Sequence, residues 1–237
     1  MGASHAYPRC GRPAAAGLKN CLLTNDVVNG KLSEPSAKLL TASALIALRK
    51  QKQQAHGVRP LAMGEVFMRL AAVYAVRATS AGLSEVLGRF DQAFGSKSGA
   101  EKIVHAARAA LTGKTGLAVL SVDIRNAYNT RSRAHVLASL FGHDSLSTLW
   151  RIFHFAYSKP AQLLVRTAKG LVSIPSVQGV RQGDVLGGIG FSVSLREDLI
   201  LTQQAVPGAT ILSYLDNVYC IAPPAECVKF LKFFTVQ

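Results

Sequence analysis

The stretch LAVLSVDIRNAYNT, Leu117 to Thr130, carries an apolar run of strand length that ends on an acid. Leu117 to Val122 are aliphatic except for Ser121, which predicts a buried β-strand. Asp123 then places a carboxylate at the end of that strand. An ionised carboxylate there is costly unless it is paired, hydrogen-bonded or bound to a metal, so Asp123 is a candidate metal ligand. A helix N-cap or a strand-end turn is the competing role for a single Asp. The choice depends on what the rest of the chain brings beside it.

After this strand, Thr130 and Asp144 are plausible N-caps for helices over Arg131 to Phe141 and Ser145 to Tyr157. Ala161 to Thr167 and Leu171 to Ile174, joined through Lys169-Gly170, read as a hairpin. The segment GVRQGDVLGG, residues 179 to 188, is rich in glycine and predicts a loop that brings backbone close to a ligand. Asp184 caps the helix that follows, through Ser194 to Leu201. Thr210 to Leu215 is strand-like, Asp216-Asn217 suits a type I′ hairpin turn, and Val218 to Ile221 returns before Pro223 and Pro224.

Upstream, residues 1 to 37 hold Pro8, Pro13 and Pro35 and read as an irregular basic extension. Leu39 to Lys50 and Val58 to Ala62 form a predicted hairpin whose bases, Arg49, Lys50, Lys52 and Arg59, cluster at its turn. Gly64 to Ala78 has helical periodicity, with Val66, Phe67, Leu70, Val73 and Tyr74 as its apolar face. Ser98 opens another helix, with Glu101 completing a capping box and Ile103, Val104, Ala107 and Leu111 along one side, and Gly113 ends it.

Lys and Arg number 27 against 13 Asp and Glu, a net charge of +14. The excess lies mainly in residues 1 to 118, with 16 basic and 6 acidic groups, and favours nucleic acid as the partner. No run reaches the ~18 apolar residues of a membrane span, and no secretory core opens the chain, so it is expected to be intracellular without a membrane partner. Cys10, Cys21, Cys220 and Cys227 have no CxxC spacing and read as reduced thiols. His105, His135, His143 and His154 lack metal-ligand spacing, and Ser121 has no visible triad partners.

Three features therefore stand in fixed order: Asp123 ending a strand, a Gly-rich loop around Gln182, and Asp216 in a tight turn. Two carboxylates from different strands suit divalent cations that activate a hydroxyl and neutralise a transferring phosphate. With a basic hairpin upstream, this is an arrangement that template-directed nucleotidyl transfer requires. SVDIRNAYNT, IPSVQGVRQGDVLGG and YLDN resemble the first three palm motifs of a reverse transcriptase, most like those of non-LTR retrotransposons, with the site-specific, spliced-leader-associated branch closest. ALIALRK with GVRPLAMGEVFMRLAA resembles the family's fingers hairpin and helix, and FGSKSGAEKIVHAAR the helix before its first catalytic strand. The resemblance covers about residues 38 to 222.

The resemblance implies an α+β fold of right-hand polymerase fingers over residues 38–116 and a partial palm over 117–237, an antiparallel catalytic sheet packed by helices. It implies an RNA-directed DNA polymerase using Mg²⁺, with Mn²⁺ as a substitute, acting on an RNA template, a DNA primer and dNTP in the nucleus. Asp123 and Asp216 would ligate metal, with Asn217 as a weak third ligand, and Tyr128 would reject a 2′-hydroxyl on the incoming nucleotide. Gln182 and Gly183 would line the nucleotide pocket, Arg59 and Lys50 would face the triphosphate, and Tyr214 and Arg181 would lie along primer and template. The family's turn holds two acids where this sequence has Asp216 and Asn217, which lowers the charge offered to metals by one. With 20 residues after Asn217, the thumb is expected to be absent, or supplied by a second chain. The alternative reading is a catalytically inactive remnant that binds nucleic acid or a partner protein.

Overall fold

A computed structural model describes residues 23–49, 58–90 and 98–236. Residues 23–28 are helical and are followed by α1 (Glu34–Thr41), which Pro35 opens within the first turn, where its missing N–H costs nothing. The expected irregular extension through residue 37 is thereby corrected for its described part. Val27 and Val28 bury themselves in the main core and give the short segment a reason to be ordered.

The upstream hairpin forms as expected: β1 (Ser43–Arg49) pairs antiparallel with β2 (Val58–Gly64). The downstream hairpin, β4 (Ala161–Thr167) with β5 (Gly170–Ser176), joins it through a parallel contact of Ser43 and Ala44 with Leu163 and Leu164. The resulting four-stranded sheet has the order β2-β1-β4-β5. It takes two strands from each side of residue 117, so the expected boundary at 116/117 does not divide the sheets. Pro60 and Pro175 sit on its two edge strands, where a missing donor is tolerated.

The second sheet contains β3 (Ala118–Asp123), β6 (Thr210–Tyr214) and β7 (Asn217–Ala222), all antiparallel, in the order β3-β7-β6. Period-two alternation lets β6 and β7 pack on both faces, while β3 packs on one. Leu212 and Ile221 pack on Ile103 of α4 (Gly99–Leu111). Ile211, Val218 and Cys220 face the main core with Cys227 and Phe230 of α9 (Pro224–Val236), a helix that the Pro223-Pro224 stop signal concealed. The β6–β7 turn is Leu215-Asp216, one residue earlier than expected, because Tyr214 pairs with Asn217. Leu215 takes φ +55° and Asp216 does not have a positive φ, so the I′ turn expected at Asp216-Asn217 is not formed.

Helices from distant parts of the chain meet in the main core. Helix α2 (Val66–Ala78) has the expected span, but its buried face is Met68, Ala71, Ala72 and Ala75. The predicted face is turned outward, with Val66 60%, Leu70 54% and Tyr74 59% exposed. Small side chains let α2 approach α7 (Ser147–Tyr157) and α8 (Val185–Ala205), which bulky ones would prevent. After α2 the chain bends into α3 (Ser80–Leu87). Among the described residues no single helix is long and apolar enough to cross a membrane.

Several caps also differ from expectation. Ser98 precedes α4 in a left-handed conformation without a side-chain cap bond, so the Ser98–Glu101 capping box does not form. A short helix α5 (Ala127–Thr130) follows β3, and Ser132, not Thr130, caps α6 (Arg133–Phe141) by accepting from the His135 N–H. Asp144 begins a single 3₁₀ turn ahead of α7. Asp184 does cap α8, accepting from the Leu186 N–H at 3.1 Å, and the helix starts directly after it.

Candidate active site

Register brings the first two candidates together. Asp123, the last residue of β3, lies directly across from Asn217, the first of β7, so both side chains project from one face. Asp216 is the preceding turn residue, and its carbonyl accepts from the Ile124 N–H at 3.0 Å, which holds the chain leaving β3 against the turn. The strand is half-buried and Asp123 is exposed, which corrects the expectation of a carboxylate at the end of a buried strand. Its carboxylate therefore faces water, and it is the convergence with Asp216 on one cleft that suits it to a ligand role.

Tyr128 is set by the short helix α5. Its ring stacks on Phe191 of α8, with centroids 5.1 Å apart, and its carbonyl accepts from the Val180 N–H at 2.7 Å. Burial, followed by the nearby Asp216 carboxylate and Tyr214, pushes its hydroxyl up to about 12, so the phenol is neutral at physiological pH.

The Gly-rich loop is fastened on two sides. Gly179, at φ +69°, lies so close to the Asn129 backbone that a Cβ would collide with it. Gly183, at φ +89°, lies where a Cβ would meet Leu61 Cδ1 at 2.5 Å. The Gln182 carbonyl accepts from the Ala62 N–H at 2.7 Å. These glycines serve close approach to Asn129 and β2, protein surfaces where the sequence suggested a ligand.

A cleft of about 750 Å³ results, lined by Arg59, Asp123, Tyr128, Gln182, Gly183, Asp216 and Asn217 among others. Its volume lies within the ~300–1,000 Å³ range of small-molecule sites. Arg59 brings a cation to it from β2. Among the described residues neither Asp123 nor Asp216 has an ion-pair partner. Asn217 Nδ2 lies 3.4 Å from Asp216 Oδ1, leaving the Asn217 carbonyl oxygen as a neutral donor. Two carboxylates and one amide oxygen fit a divalent cation such as Mg²⁺, which takes one or two carboxylates and completes its shell with water and phosphate. No cluster of three His, Cys, Asp or Glu side chains with metal-binding geometry occurs among the described residues.

One expected site residue is placed elsewhere. Arg181 is 6% exposed and does not face a template. It donates through Nη1 to the Thr41 carbonyl at 2.6 Å, pairs through Nη2 with Asp184 Oδ2 at 3.2 Å, and lies over the Tyr157 ring at 4.6 Å. The Tyr157 hydroxyl donates to Asp184 Oδ2 at 2.6 Å. Arg181 thus ties α1 to α7 and α8. Tyr214 forms the pair that closes the β6–β7 turn and packs near Ile103, Leu212 and Ile221. Lys50 lies outside the described residues.

Residues that sequence reasoning missed organise this site from behind. Arg133 donates to the Gly179 carbonyl at 2.7 Å and to the Ser176 carbonyl at 2.9 Å, fixing the entry of the Gly-rich loop. Arg131 pairs with Asp198 of α8 at 2.8 Å and donates to the Ser194 carbonyl. Their only sequence signal was basic charge, which pointed outward to nucleic acid.

No protein-family model matches the chain. It is 30% identical over 221 residues to the Retrotransposable element SLACS 132 kDa protein of Trypanosoma brucei gambiense, a match that covers 93% of this chain and 18% of that protein. The chain therefore spans less than a fifth of the relative's length. Among solved structures it is similar to telomerase of Candida albicans, in complex with a fragment of telomeric RNA, with TM-score 0.60, 12% identity and coverage of 87% of this chain and 42% of that one. Apo telomerase of Candida tropicalis gives TM-score 0.62, 13% identity and coverage of 93% and 45%. At such identities the structures speak for fold alone, and the retrotransposon match speaks for kinship. The chain is a reverse-transcriptase-like domain, related to a retrotransposable-element protein and built on the fold it shares with telomerase.

Proposed function

We propose that the domain is the nucleotidyl-transfer core of an RNA-directed DNA polymerase, taking an RNA template, a DNA primer and dNTP. The observation that carries this reading is the pair Asp123 and Asp216, two carboxylates on one cleft without an ion-pair partner among the described residues, together with Tyr128. Two carboxylates facing one cleft suit a divalent cation. Divalent ions, when bound, would activate the primer 3′-hydroxyl and neutralise the transferring phosphate. Asp123 and Asp216 would hold them, with the Asn217 oxygen as a third, weaker donor.

The chain's other residues would position substrate. Arg59 would meet the triphosphate, as a flexible cation at the mouth of the cleft. Gln182 and Gly183 would bound the base and template side. Tyr128, neutral and held flat by Phe191, presents a fixed ring whose edge would leave no room for a 2′-hydroxyl. The strand geometry and the Ile124–Asp216 bond hold both acids without an induced change, as chemistry dominated by positioning requires.

Primer extension on an RNA template tests this. The expected result is Mg²⁺- or Mn²⁺-dependent extension that Asp123→Asn and Asp216→Asn each reduce more than about a hundredfold, the scale of losing several kcal/mol of charge stabilisation. Unreduced extension in Asp123→Asn would overturn the assignment. One observation favours a second reading: Asn217 leaves the cleft one charge short. If the folded chain binds RNA but extends nothing under either metal, the domain is a nucleic-acid-binding module without turnover.

A further inference from the structure

A second pocket lies away from the cleft and shares no lining residue with it. It forms where residues 29–41 cross the outer side of α7, encloses about 410 Å³ and is lined by Trp150, His154, Phe155, Lys38, Arg151 and Lys159 among others. Trp150 and His154, one helical turn apart, stack with centroids 5.1 Å apart at 29°. Phe141 meets the indole at 60° with centroids 5.4 Å apart, which holds Trp150 from another side. Lys38 comes from α1, Arg151 from α7 and Lys159 from the loop ahead of β4, so cations surround the rings on three elements.

This combination is specific in kind. An aromatic stack can be extended by one further planar base, and surrounding cations suit phosphates in series. A pocket of this size accepts one nucleotide and is too small for a helix or strand of a partner protein. The one acid on the rim, Glu34, holds Lys38 at 3.1 Å with both side chains mostly exposed, an ion pair weak enough to be exchanged for a phosphate. The Glu34 carboxyl is held below the usual range by Lys38 and then by Lys159.

We propose that this pocket binds one nucleotide of a single-stranded nucleic acid, its base added to the Trp150–His154 stack and its flanking phosphates on Lys38, Arg151 and Lys159. It would anchor a strand outside the cleft and does not depend on whether the cleft turns over nucleotides.

Trp150 is the single tryptophan of the chain, so its emission reports on this pocket alone. Titration with five-residue RNA and DNA oligomers of the same sequence should quench it saturably, and the stronger oligomer identifies the strand. About three phosphate contacts predict a slope near −2 in log affinity against log salt. Lys159→Ala should weaken quenching about three- to tenfold and lower that slope by about 0.7, while Asp123→Asn leaves it unchanged. Cross-linking of a 4-thiouridine oligomer should map to α7 peptides. Absence of quenching while anisotropy reports binding would overturn the proposal, as would cross-links confined to the cleft. Equal quenching by a mononucleotide would overturn the assignment to a strand.

Discussion

Replacing Arg181 with Met removes a guanidinium that three elements share. The side chain is nearly buried, and its loss strips the Thr41 carbonyl of a 2.6 Å charged donor and leaves Asp184, 12% exposed, without its counter-ion. Breaking a buried pair from one side costs about 3–5 kcal/mol, because the remaining charge stays desolvated. The Tyr157 hydroxyl still donates to Asp184, which keeps the expected loss near the middle of that range, about 4 kcal/mol. A domain holds only ~5–15 kcal/mol in total, and for this size each kcal/mol shifts the melting temperature by about 2–4 °C. Urea unfolding followed by circular dichroism should therefore show a much lower midpoint at unchanged slope, and thermal melting a drop of about 8–16 °C. A double-mutant cycle with Tyr157→Phe should give a coupling of about 1–3 kcal/mol. A solvent-facing template contact behaves differently: RNA affinity and its salt slope fall while stability stays within about 0.5 kcal/mol of wild type. That second pattern would refute the structural role assigned to Arg181.

Gly179→Ala and Gly183→Ala should differ although both have positive φ: the first meets the Asn129 backbone, which cannot yield, and the second meets the end of Leu61. Urea midpoints should show a loss of about 2–4 kcal/mol for Gly179→Ala and about 1–2 for Gly183→Ala. Tyr128, whose folded pKa of about 12 lies above its ordinary value of 10.0, contributes stability that is complete below pH 10 and lost as pH rises toward 12. Absorbance titration at 295 nm should therefore lose a late step near pH 12 in Tyr128→Phe, and the alkaline fall in stability over that window should become shallower. Asn217→Asp adds a carboxylate directly across from Asp123, so half-saturation of primer extension by Mg²⁺ should move to severalfold lower concentration. An unchanged or weaker Mg²⁺ dependence would remove Asn217 from the ligand set.

The candidate site was legible wherever a motif kept its residues close in sequence. Asp123 and Tyr128 are five residues apart, and Asp184 caps the helix that it immediately precedes, so local rules suffice for both. Arg181 was misread because position in a motif says which residues neighbour the site, not which way each side chain turns. Arg181 turns inward because Thr41, Tyr157 and Asp184, from distant parts of the chain, offer it acceptors and a ring face. The helix at Val66–Ala78 was read correctly as a helix and wrongly as to its buried face. Its alanines carry little hydrophobic weight in a sequence pattern, yet close packing against α7 and α8 selects them for their small volume.

By itself the sequence determined the two hairpins, the strand ending at Asp123, the long helix after Asp184 and the order of the motifs. These follow from period-two and period-3.6 patterns and turn residues, which act over a few positions. Only the tertiary structure decided that β1 pairs with β4 across more than a hundred residues, that the acids of β3 and the β6–β7 turn share a cleft, and that Arg131, Arg133 and Arg181 are engaged within the fold. The physical reason is common to all three. Strand pairing, convergence of like charges and satisfaction of buried donors are set by groups far apart in the chain, and no local propensity encodes who meets whom.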